Sequence, residues 1–400
     1  MKSYICMTSL FNMYCLMNLN KEKYFGISPR IARWKIDSED ENWLAFKADN
    51  SPFFKKCYEQ YYKEFDSDYY IKGLEFIERY LNDHKDDLIS LDKEWVKTDM
   101  IYCLHRFGIS FQDYWIYGFI NKTFDERQSF VADKLRYFYC DLLNHPDVNR
   151  IMTDKYECYK RFRQFYKRDV LGCYHSSDFS LFFDFVNRHS QFVFKPAFEH
   201  SGHGIKLVTF DNLTDTAEIQ LFFNDNIQKG AFVVEEVITQ GAELDEMHKE
   251  SVNSLRVMTF KLKDRVEVIG VTWRIGVGLS IVDNAGSGGI YAKVDPTTGK
   301  VITDGKNHKG EIYKTHPESD LRFKDFQMPN WDEALQLINK ISNTLPGATL
   351  IAWDIVYSNR GWMMLEANES GAWGTIQSNE QIGVKPRLFS LMDEYFGDKE

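Results

Sequence analysis

Two apolar runs near the end of the chain, separated by a short polar break, decide the fold: Thr349-Leu350-Ile351-Ala352-Trp353-Asp354-Ile355-Val356-Tyr357 and Gly361-Trp362-Met363-Met364-Leu365-Glu366-Ala367-Asn368-Glu369. Each run has the length of a strand and is bounded by turn residues, so the pair predicts a β-hairpin. Acid and amide side chains nevertheless interrupt both runs, at Asp354, Glu366 and Asn368. Polar groups in a core hairpin are costly without a partner, which makes these three residues the first candidates for a functional site.

The three polar residues have the geometry of a metal site. All have even numbers, so the period of two in a strand can place them on one face of the sheet. A turn with an odd number of residues around Asn359-Arg360 puts Asp354 directly opposite Glu366, at roughly 4.5–5.5 Å between Cβ atoms. Two carboxylates and an amide oxygen suit Mg²⁺, which completes its shell with water and nucleotide phosphates. We therefore predict that Asp354, Glu366 and Asn368 bind Mg²⁺.

Composition indicates a soluble globular protein of two or three domains. The chain has 400 residues, of which 44% are hydrophobic and 27% charged, and its formal net charge is −10. This acidic balance argues against a nucleic-acid-binding protein, which needs a basic surface. Local cationic sites for small anions remain compatible with it.

The cysteines and the N-terminal segment bear on location. All seven cysteines lie at or before Cys173 and no C-x-x-C occurs, which predicts reduced, buried thiols in a cytoplasmic protein. The apolar segment from Tyr4 to Leu19 is interrupted by polar residues, is short for a membrane span and lacks a cleavage site. We expect it to pack against the protein without stable membrane insertion, with membrane association as the alternative.

Periodicity changes along the chain. Residues 1–150 favour helices, for example at Tyr70–Leu81 and Asp125–Leu143. From about Met152, a helix carrying Lys155, Lys160 and Lys167 is followed by alternating strands and helices, which predicts an α+β domain. Strands are predicted at Phe192–Pro196, Ile205–Val208, Ala231–Ile238, Ser254–Leu262 and Val266–Ile275, and helices at Thr214–Asn224 and Asp332–Asn343. Asn330 is expected to cap the last of these helices through its side-chain oxygen.

Polar groups on the earlier strands also point to an anionic ligand. Lys195 lies on an otherwise apolar strand and needs an anionic partner. The loop after it, Ser201-Gly202-His203-Gly204, can bring backbone N–H groups close to phosphate oxygens. It lacks the Gly-Lys-Ser/Thr of a Walker A loop, and an ordinary hairpin turn is the alternative.

Two more segments carry paired charges. Glu235 and Glu236 end an apolar strand, for which an exposed sheet end is the simple explanation. Arg256 and Arg274 lie in later strands, and arginine suits planar capture of phosphate or carboxylate. A glycine-dense loop, residues 282–290, follows Arg274, and a plain hairpin connection is the alternative reading of it.

The order of these features resembles the ATP-grasp superfamily over roughly residues 150–390. It runs from a helix lysine through a strand lysine with a glycine loop, a double-acid strand end and a basic strand to Asp and Glu-x-Asn on a hairpin. Three segments resemble the sugar-transfer-associated branch, which typically occurs beside polysaccharide-building enzymes: Asn253-Ser254-Leu255-Arg256-Val257, Arg274 with Asp283-Asn284 and Gly288-Gly289, and His316-Pro317 through Pro329-Asn330-Trp331.

The resemblance implies a fold and a division of the chain. The ATP-grasp fold has two α+β lobes that enclose ATP. Here it implies a mainly helical N-terminal region at residues 1–150 and an ATP-grasp domain at 151–400. Within that domain, residues 151–240 would form the lid lobe and residues 241–400 the metal-binding lobe.

The resemblance also implies roles for individual residues. Lys155 and Lys195 would meet the nucleotide phosphates, and the loop of Ser201, Gly202, His203 and Gly204 would be a mobile lid over them. The linker that hydrogen-bonds adenine would contain Glu235, Glu236, Val237 and Ile238, with Glu243 as a candidate for the ribose. Asp354, Glu366 and Asn368 match the Mg²⁺ ligands. Many relatives carry a basic residue two positions before the metal aspartate, where this chain has Ala352, so Arg256 or Arg274 would supply that charge as candidate catalytic residues.

The implied activity is that of an ATP- and Mg²⁺-dependent carboxylate–amine ligase that works through an acyl phosphate. Its partners would be ATP, a carboxylate substrate and an amine such as an amino sugar or glycan, in the synthesis of a polysaccharide or related cell-surface precursor. A small-molecule or sugar kinase and a non-catalytic ATP-binding partner of a glycosyltransferase system are the alternatives. His308, His316 and Arg322 lie in a polar insertion that either lines the acceptor site or is an exposed loop.

Overall fold

The structure is a computed structural model that describes residues 67–83, 93–199, 202 and 204–397. The chain divides into two compact units, one built from residues up to 138 together with 372–398, and one from residues 139–371. The segment from Tyr4 to Leu19 and the predicted lid residues Ser201 and His203 lie outside the described residues.

The described part of the chain begins with helices, and strands enter from Val170 onward. The helices are α1 (Ser67–Asp83), α2 (Lys93–Phe107), α3 (Phe111–Ile116), α4 (Phe124–Gln128), α5 (Arg136–Leu143), α6 (Pro146–Thr153), α7 (Lys155–Tyr166), α8 (Phe179–Arg188), α9 (Thr216–Ile227), α10 (Ala242–Asp245), α11 (Trp331–Thr344), α12 (Gly374–Ser378) and α13 (Lys385–Gly397). The strands are β1 (Val170–Cys173), β2 (Gln191–Pro196), β3 (Lys206–Thr209), β4 (Phe232–Glu236), β5 (Leu255–Lys261), β6 (Val266–Ile275), β7 (Ile290–Val294), β8 (Gly305–Lys306), β9 (Ile312–Tyr313), β10 (Leu350–Ser358) and β11 (Gly361–Asn368).

The described part of the first unit is helical and contains a buried ion pair. Arg127 donates Nη1 and Nη2 to the two carboxylate oxygens of Asp99 at 2.8 and 2.9 Å, and Tyr114 donates its hydroxyl to the same group at 2.6 Å. Both charged side chains are fully buried. The negative charge of a buried carboxylate is compensated when it accepts this many hydrogen bonds. The apolar helices therefore pack around a polar group whose hydrogen bonds are all made within the protein.

The second unit contains a small antiparallel sheet with strand order β1-β4-β2-β3. Its core is aromatic and is formed with α8 and α9 by side chains such as Phe182, Phe192, Phe223 and Phe232. Phe182 meets Phe192 and Phe232 edge-to-face, with ring centroids 5.9 Å apart in both pairs. Edge-to-face contacts of this kind are favoured by the ring quadrupoles.

The large antiparallel sheet of the second unit has strand order β11-β10-β5-β6-β7-β8-β9. One face belongs to the main hydrophobic core, through Val257, Trp273 and Trp353. Helix α7 packs on this face, where Phe162 meets Trp353 edge-to-face at 5.5 Å between centroids. Because side chains alternate along a strand, the even-numbered neighbours of these residues point to the opposite, polar face.

Most predicted elements are confirmed within a few residues. The strand at Val266–Ile275 has the predicted ends, and the helix predicted at Asp332–Asn343 is α11. The helical run predicted from Asp125 to Leu143 is instead broken between α4 and α5. The predicted cap at Asn330 is wrong: its side chain makes no capping bond and donates to the Tyr357 hydroxyl at 2.7 Å.

The hairpin of β10 and β11 forms as predicted, but its register arises differently. Ser358 pairs with Gly361, so the turn contains two residues and not an odd number. A regular ladder from that turn would place Asp354 opposite Leu365. A bulge between Asp354 and Ile355 takes up Leu365 as an extra residue, and Asp354 therefore pairs with Glu366.

Candidate functional site

A row of polar side chains crosses the large sheet. In the register of β11, β10, β5 and β6, the Cα partners are Glu366, Asp354, Arg256 and Thr272. Directly paired residues of antiparallel strands carry their side chains on the same face. Within the described part of the chain, the buried Thr272 hydroxyl has no hydrogen-bond partner. The row thus combines two acids, a guanidinium and an unused hydroxyl on the face that is not part of the core.

Asp354 is fully buried and is bound by two arginine side chains. Arg256 donates Nε and Nη2 to its two oxygens, each at 2.8 Å, and Arg274 Nη2 lies 3.0 Å from Oδ2. Burial alone raises the pKa of this carboxyl, but the two guanidinium groups outweigh burial and hold the pKa well below its ordinary value. Asp354 is therefore ionised at neutral pH.

Glu366 has the opposite electrostatic setting. Burial, followed by the negative charge of Asp354, raises its pKa, and the nearby charges of Lys195 and Arg256 only partly oppose this. Asn368 lies between the two acids, with Nδ2 at 3.3 Å from Asp354 Oδ2 and 3.4 Å from Glu366 Oε1. Two carboxyl groups so close together share a site in which a proton or a cation is favoured.

These three side chains fit a hard cation in type and placement. Two carboxylates and one amide converge within hydrogen-bond distance of Asn368, and oxygen donors of this kind suit Mg²⁺. Coordination by Asn368 requires its amide to turn so that Oδ1 faces the acids. No group of three His, Cys, Asp or Glu side chains among the described residues forms a metal site, so a site here depends on the amide as the third ligand.

Ala352 packs against Gly371, which leaves little room for a longer side chain at position 352. Ala352 is buried and pairs with Asn368 and Met258. A Cβ added to Gly371 would lie 2.3 Å from the Cβ of Ala352, closer than any two carbon atoms approach without a bond. A basic side chain at position 352 would have to displace this segment, whereas Arg256 and Arg274 already bring two cations to Asp354.

The two predicted phosphate lysines, Lys155 and Lys195, are carried by α7 and β2. Lys155 begins α7 and donates Nζ to the carbonyl oxygens of Pro196, at 3.1 Å, and Glu199. Burial lowers its pKa, the charge of Glu366 raises it, and the charge of Lys195 lowers it again. Lys155 Nζ thus lies against the backbone that directly follows Lys195.

Lys195 and Glu235 form a buried ion pair on the small sheet. Lys195 Nζ lies 2.9 Å from Glu235 Oε1, and Arg168 donates Nε and Nη2 to the other oxygen at 3.0 and 2.8 Å. Burial alone raises the pKa of Glu235, but the charges of Arg168 and Lys195 outweigh it and lower the pKa to about 2. Lys195 thus has the anionic partner that its sequence context requires.

The predicted adenine linker connects the two sheets. Strand β4 ends at Glu236, and Val237 and Ile238 follow it in a connection without regular secondary structure. The Glu236 carboxylate accepts hydrogen bonds from Arg360 at 2.5 Å and from the backbone N–H of Asp169 at 3.0 Å. Glu243 is exposed in the first turn of α10. Contacts of these residues with a nucleotide stay predictions.

The described part of the lid loop approaches the glycine-dense loop. Gly202 and Gly204 both have positive φ, +77° and +74°, in the region that favours glycine. A Cβ at Gly202 would lie 2.6 Å from Asn284 Nδ2. The two loops that the sequence links to anion binding therefore meet, and the contact needs glycine at position 202.

A buried polar cluster holds Arg274 in place. The Ser254 hydroxyl accepts hydrogen bonds from Arg274, the shorter at 2.6 Å, while the Ser254 N–H donates to Asp283 at 2.9 Å. Asn253, directly before Ser254, donates Nδ2 to the carbonyl oxygens of Leu244 and His248 at 2.9 and 2.7 Å. Asn253 and Asp283 thus help to hold the start of β5 in place, and Asp283 supports Arg274 through Ser254.

Several residues differ from sequence expectations. His316 is fully buried and its Nε2 donates to the Gly276 carbonyl at 2.8 Å, so it is not part of an exposed loop, whereas His308 and Arg322 are exposed. Sequence reasoning also missed Arg168, which has no recognisable motif around it. The only signal was a second cation directly after Lys167, where α7 ends and β1 has not begun.

A comparison with known protein families shows which family the chain belongs to. The family model of sugar-transfer associated ATP-grasp proteins matches residues 135–392, well over half of the sequence. The chain belongs to this family. The predicted α+β ATP-grasp fold with a preceding helical region is confirmed. No match was found among the curated proteins.

Solved structures are similar to this ATP-grasp protein at low sequence identity. N5-carboxyaminoimidazole synthetase from Staphylococcus aureus, complexed with ADP, has 8% identity and a TM-score of 0.41, with 66% of this chain and 58% of that chain covered. D-alanyl-alanine synthetase A from Vibrio cholerae has 10% identity and a TM-score of 0.40, covering 64% and 68%. D-alanine–D-alanine ligase from Helicobacter pylori has 13% identity and a TM-score of 0.39, covering 66% and 67%. The chain thus spans little more than half of the S. aureus protein.

The remaining predictions concern the cysteine side chains and membrane-spanning helices. Cys103, Cys140, Cys158 and Cys173 are buried, as predicted for them. Burial raises the pKa of Cys158 and of Cys173 to about 12, so neither thiol is a nucleophile at neutral pH. None of the helices within the described ranges has the length and apolar character needed to cross a bilayer.

Proposed function

We propose that this protein is an ATP- and Mg²⁺-dependent carboxylate–amine ligase that acts through an acyl phosphate. One observation carries the proposal: Asp354 and Glu366 are paired on one sheet face, and two arginine side chains contact Asp354. Two lysines, Lys195 on β2 and Lys155 against the backbone that follows it, are the proposed phosphate contacts. Positioning and charge neutralisation of this kind are what phosphoryl transfer requires from a protein.

The proposed chemistry has two steps. An oxygen of the substrate carboxylate attacks the γ-phosphorus of ATP, an O–P bond forms, and the bond to the bridging oxygen breaks with its electron pair on ADP. The amine nitrogen then attacks the acyl carbon, the C–O bond to phosphate breaks, and inorganic phosphate leaves as the nitrogen loses a proton to solvent. Neither step needs a nucleophilic side chain.

The residues have distinct parts in this scheme. Lys155 and Lys195 bind phosphate oxygens, and Arg256 and Arg274 supply positive charge where the transferred phosphoryl group develops negative charge. Mg²⁺, when bound by Asp354, Glu366 and Asn368, would further neutralise the phosphates. The Thr272 hydroxyl, which follows Arg256 in the row, is a candidate to orient the incoming carboxylate.

The substrate class is a proposal that is supported by the family description alone. A sugar-transfer association favours a sugar, polysaccharide or related cell-surface precursor as the molecule that is modified, with an amino sugar or glycan as the amine. The cytoplasmic location predicted from the cysteine pattern agrees with the use of ATP, and it stays a prediction as well.

Trapping with hydroxylamine tests the reaction type. The protein is incubated with Mg²⁺, ATP and a panel of amino acids and sugar acids, with hydroxylamine as the amine. We expect a hydroxamate together with ADP. A phosphate ester without hydroxamate would identify a kinase, and ATP binding without phosphate release would identify a non-catalytic partner.

Two variants tie the activity to the proposed site. Asp354→Asn and Glu366→Gln each remove a carboxylate from the row and should lower hydroxamate formation by about 100-fold or more, the scale seen when a charge-stabilising group is lost. Asp332→Asn, an exposed change on α11, serves as the matched control and should be neutral. Unchanged turnover in both site variants would contradict the proposal.

A further inference from the structure

Arg168 is a buried cation that contacts both sheets of the second unit. It lies between α7 and β1, and its side chain is 1% exposed. Toward the small sheet it donates Nε and Nη2 to Glu235 Oε2. Toward the large sheet it donates Nη1 to the Met364 carbonyl at 2.7 Å and Nη2 to the Leu365 carbonyl at 3.0 Å.

The contact with Glu235 changes the charge available at Lys195. Glu235 accepts from Lys195 at 2.9 Å and from Arg168 at 2.8 Å through different oxygens. Two cations and one anion leave this buried group with a net charge of +1. Without Arg168, the carboxylate of Glu235 would neutralise Lys195, and a phosphate approaching the lysine would meet a neutral pair.

The contact with β11 lies at the bulge. Consecutive carbonyl groups of a regular strand point toward opposite neighbours, yet the carbonyls of Met364 and Leu365 both accept from one guanidinium. Leu365 is the extra residue that shifts the register and brings Glu366 opposite Asp354. Arg168 therefore binds the backbone immediately before a proposed metal ligand.

We propose that Arg168 is a positioning residue that couples the phosphate lysine to the metal-binding carboxylate. It compensates the charge of Glu235, so that Lys195 remains cationic toward the nucleotide, and it fixes the bulge that aligns Glu366 with Asp354. The inference rests on the proposed function, because it assigns Arg168 a role in the binding of ATP and Mg²⁺.

A merely structural role predicts a different pattern of effects. If Arg168 only stabilises the fold, its loss lowers stability and leaves nucleotide binding by the folded protein unchanged. If it acts as proposed, ATP affinity and the tightening of ATP binding by Mg²⁺ both fall in folded protein. Removal of the Glu235 charge should then rescue the first effect and not the second.

The test compares Arg168→Met, Arg168→Lys, Glu235→Gln and the double variant Arg168→Met/Glu235→Gln, with the exposed Arg163→Met on α7 as control. Affinity for the β,γ-methylene analogue of ATP is measured by calorimetry in EDTA and in Mg²⁺, after circular dichroism has established folding. We expect Arg168→Met to weaken binding in EDTA by about tenfold, the equivalent of one screened charge interaction of about 1.4 kcal/mol. Arg163→Met should leave it unchanged.

The double variant and the lysine variant separate the two parts of the proposal. In the double variant, Lys195 has no anionic partner, so binding in EDTA should return to within about twofold of wild type, while the Mg²⁺ response stays reduced. Arg168→Lys keeps the charge but loses the forked donor geometry, so it should behave like the double variant. Both avoid an uncompensated buried carboxylate and so keep the test available if Arg168→Met does not fold.

Two results distinguish failure of this inference from failure of the proposed function. If the wild-type protein does not bind the analogue, both the proposed ATP site and this inference are wrong. Wild-type binding together with unaltered affinity and Mg²⁺ response in the folded Arg168 variants overturns the role of Arg168 alone. Losses in the single variants that simply add in the double variant overturn the charge argument.

Discussion

At the scale of residues, neighbouring acids on one sheet face have opposite protonation preferences. Asp354 receives three hydrogen bonds or ion pairs from Arg256 and Arg274 and stays ionised. Glu366, its Cα partner, has a raised pKa because it is buried and lies beside that negative charge. The pair is thus unequal before any cation arrives, and Glu366 is the member whose charge state the cation would change.

The raised pKa of Glu366 makes a prediction about stability. A carboxyl whose pKa is higher in the folded state favours folding when protonated, so the metal-free protein should lose stability as the pH rises above the ordinary value of 4.5. Glu366→Gln, which is neutral at every pH, should therefore melt at a higher temperature than wild type at pH 7.5 in EDTA. At pH 4 the two melting temperatures should be similar.

The control for this prediction is the exposed Glu218→Gln on α9, which should follow wild type at both pH values. Added Mg²⁺ and ADP should stabilise wild type by about 2.7 kcal/mol at a hundredfold excess over the Kd, and should stabilise Glu366→Gln less. A variant that melts below wild type at pH 7.5 in EDTA would show that the negative charge of Glu366 favours the fold.

At the scale of elements, the hairpin depends on the number of residues in β11. Residues 361–364 pair with 355–358, and residues 366–368 pair with 352–354. Leu365 alone has no Cα partner in the ladder. Deletion of Leu365 should therefore close the bulge and keep Glu366 opposite Asp354, whereas deletion of Ala367 should put Asn368 opposite Trp353, on the core face.

Calorimetry with ATP in the presence and absence of Mg²⁺ checks this pair of deletions. Without Leu365 we expect the Mg²⁺ response to survive within about tenfold, since partners of metal ligands typically contribute about 10- to 100-fold. Without Ala367 the response should be lost because a proposed ligand is turned away. Equal loss in both deletions would mean that strand length, and not register, limits metal binding.

The hairpin also marks the limits of sequence reasoning. Alternation and run length were enough to predict β6 and the helix α11, because periodicity reflects burial directly. The pairing of Asp354 with Glu366 was predicted for a turn of the wrong length, since bulges leave no simple pattern in a sequence. Arg168 could not be found at all, because its partners lie 67 and about 196 residues away and follow from tertiary structure.

At the scale of the whole molecule, buried ionised groups link stability to acidic pH. The pKa of Glu235 is about 2 in the folded protein against 4.5 for a free side chain. A lowered carboxyl pKa contributes stability above the ordinary value, and the contribution is lost as the pH falls from about 4.5 toward 2. A shift of this size corresponds to about 3 kcal/mol.

Glu235→Gln should therefore destabilise the second unit at pH 7 and flatten its stability between pH 4.5 and 2. A melting curve reports the change in stability but does not assign it to one of the two compact units. Amide hydrogen exchange of peptides that cover β5 and β10 reports on the second unit alone. An unchanged pH dependence in the variant would mean that Asp354 and other acids dominate acid unfolding.

The division into compact units bears on how the protein can be dissected. The family match begins at residue 135 and ends at 392, whereas α12 and α13 belong to the same compact unit as the helices before residue 139. Within that unit, the fully buried Gln377 accepts from the Val131 N–H at 2.8 Å and donates to the Val131 carbonyl at 2.9 Å. A truncated protein that follows the family boundaries would lack Val131, so the Gln377 amide would lose this partner. Its C-terminal helices would then expose surface that is prone to aggregation. Insolubility of such a fragment would reflect a severed helical unit and would say nothing against the ATP site.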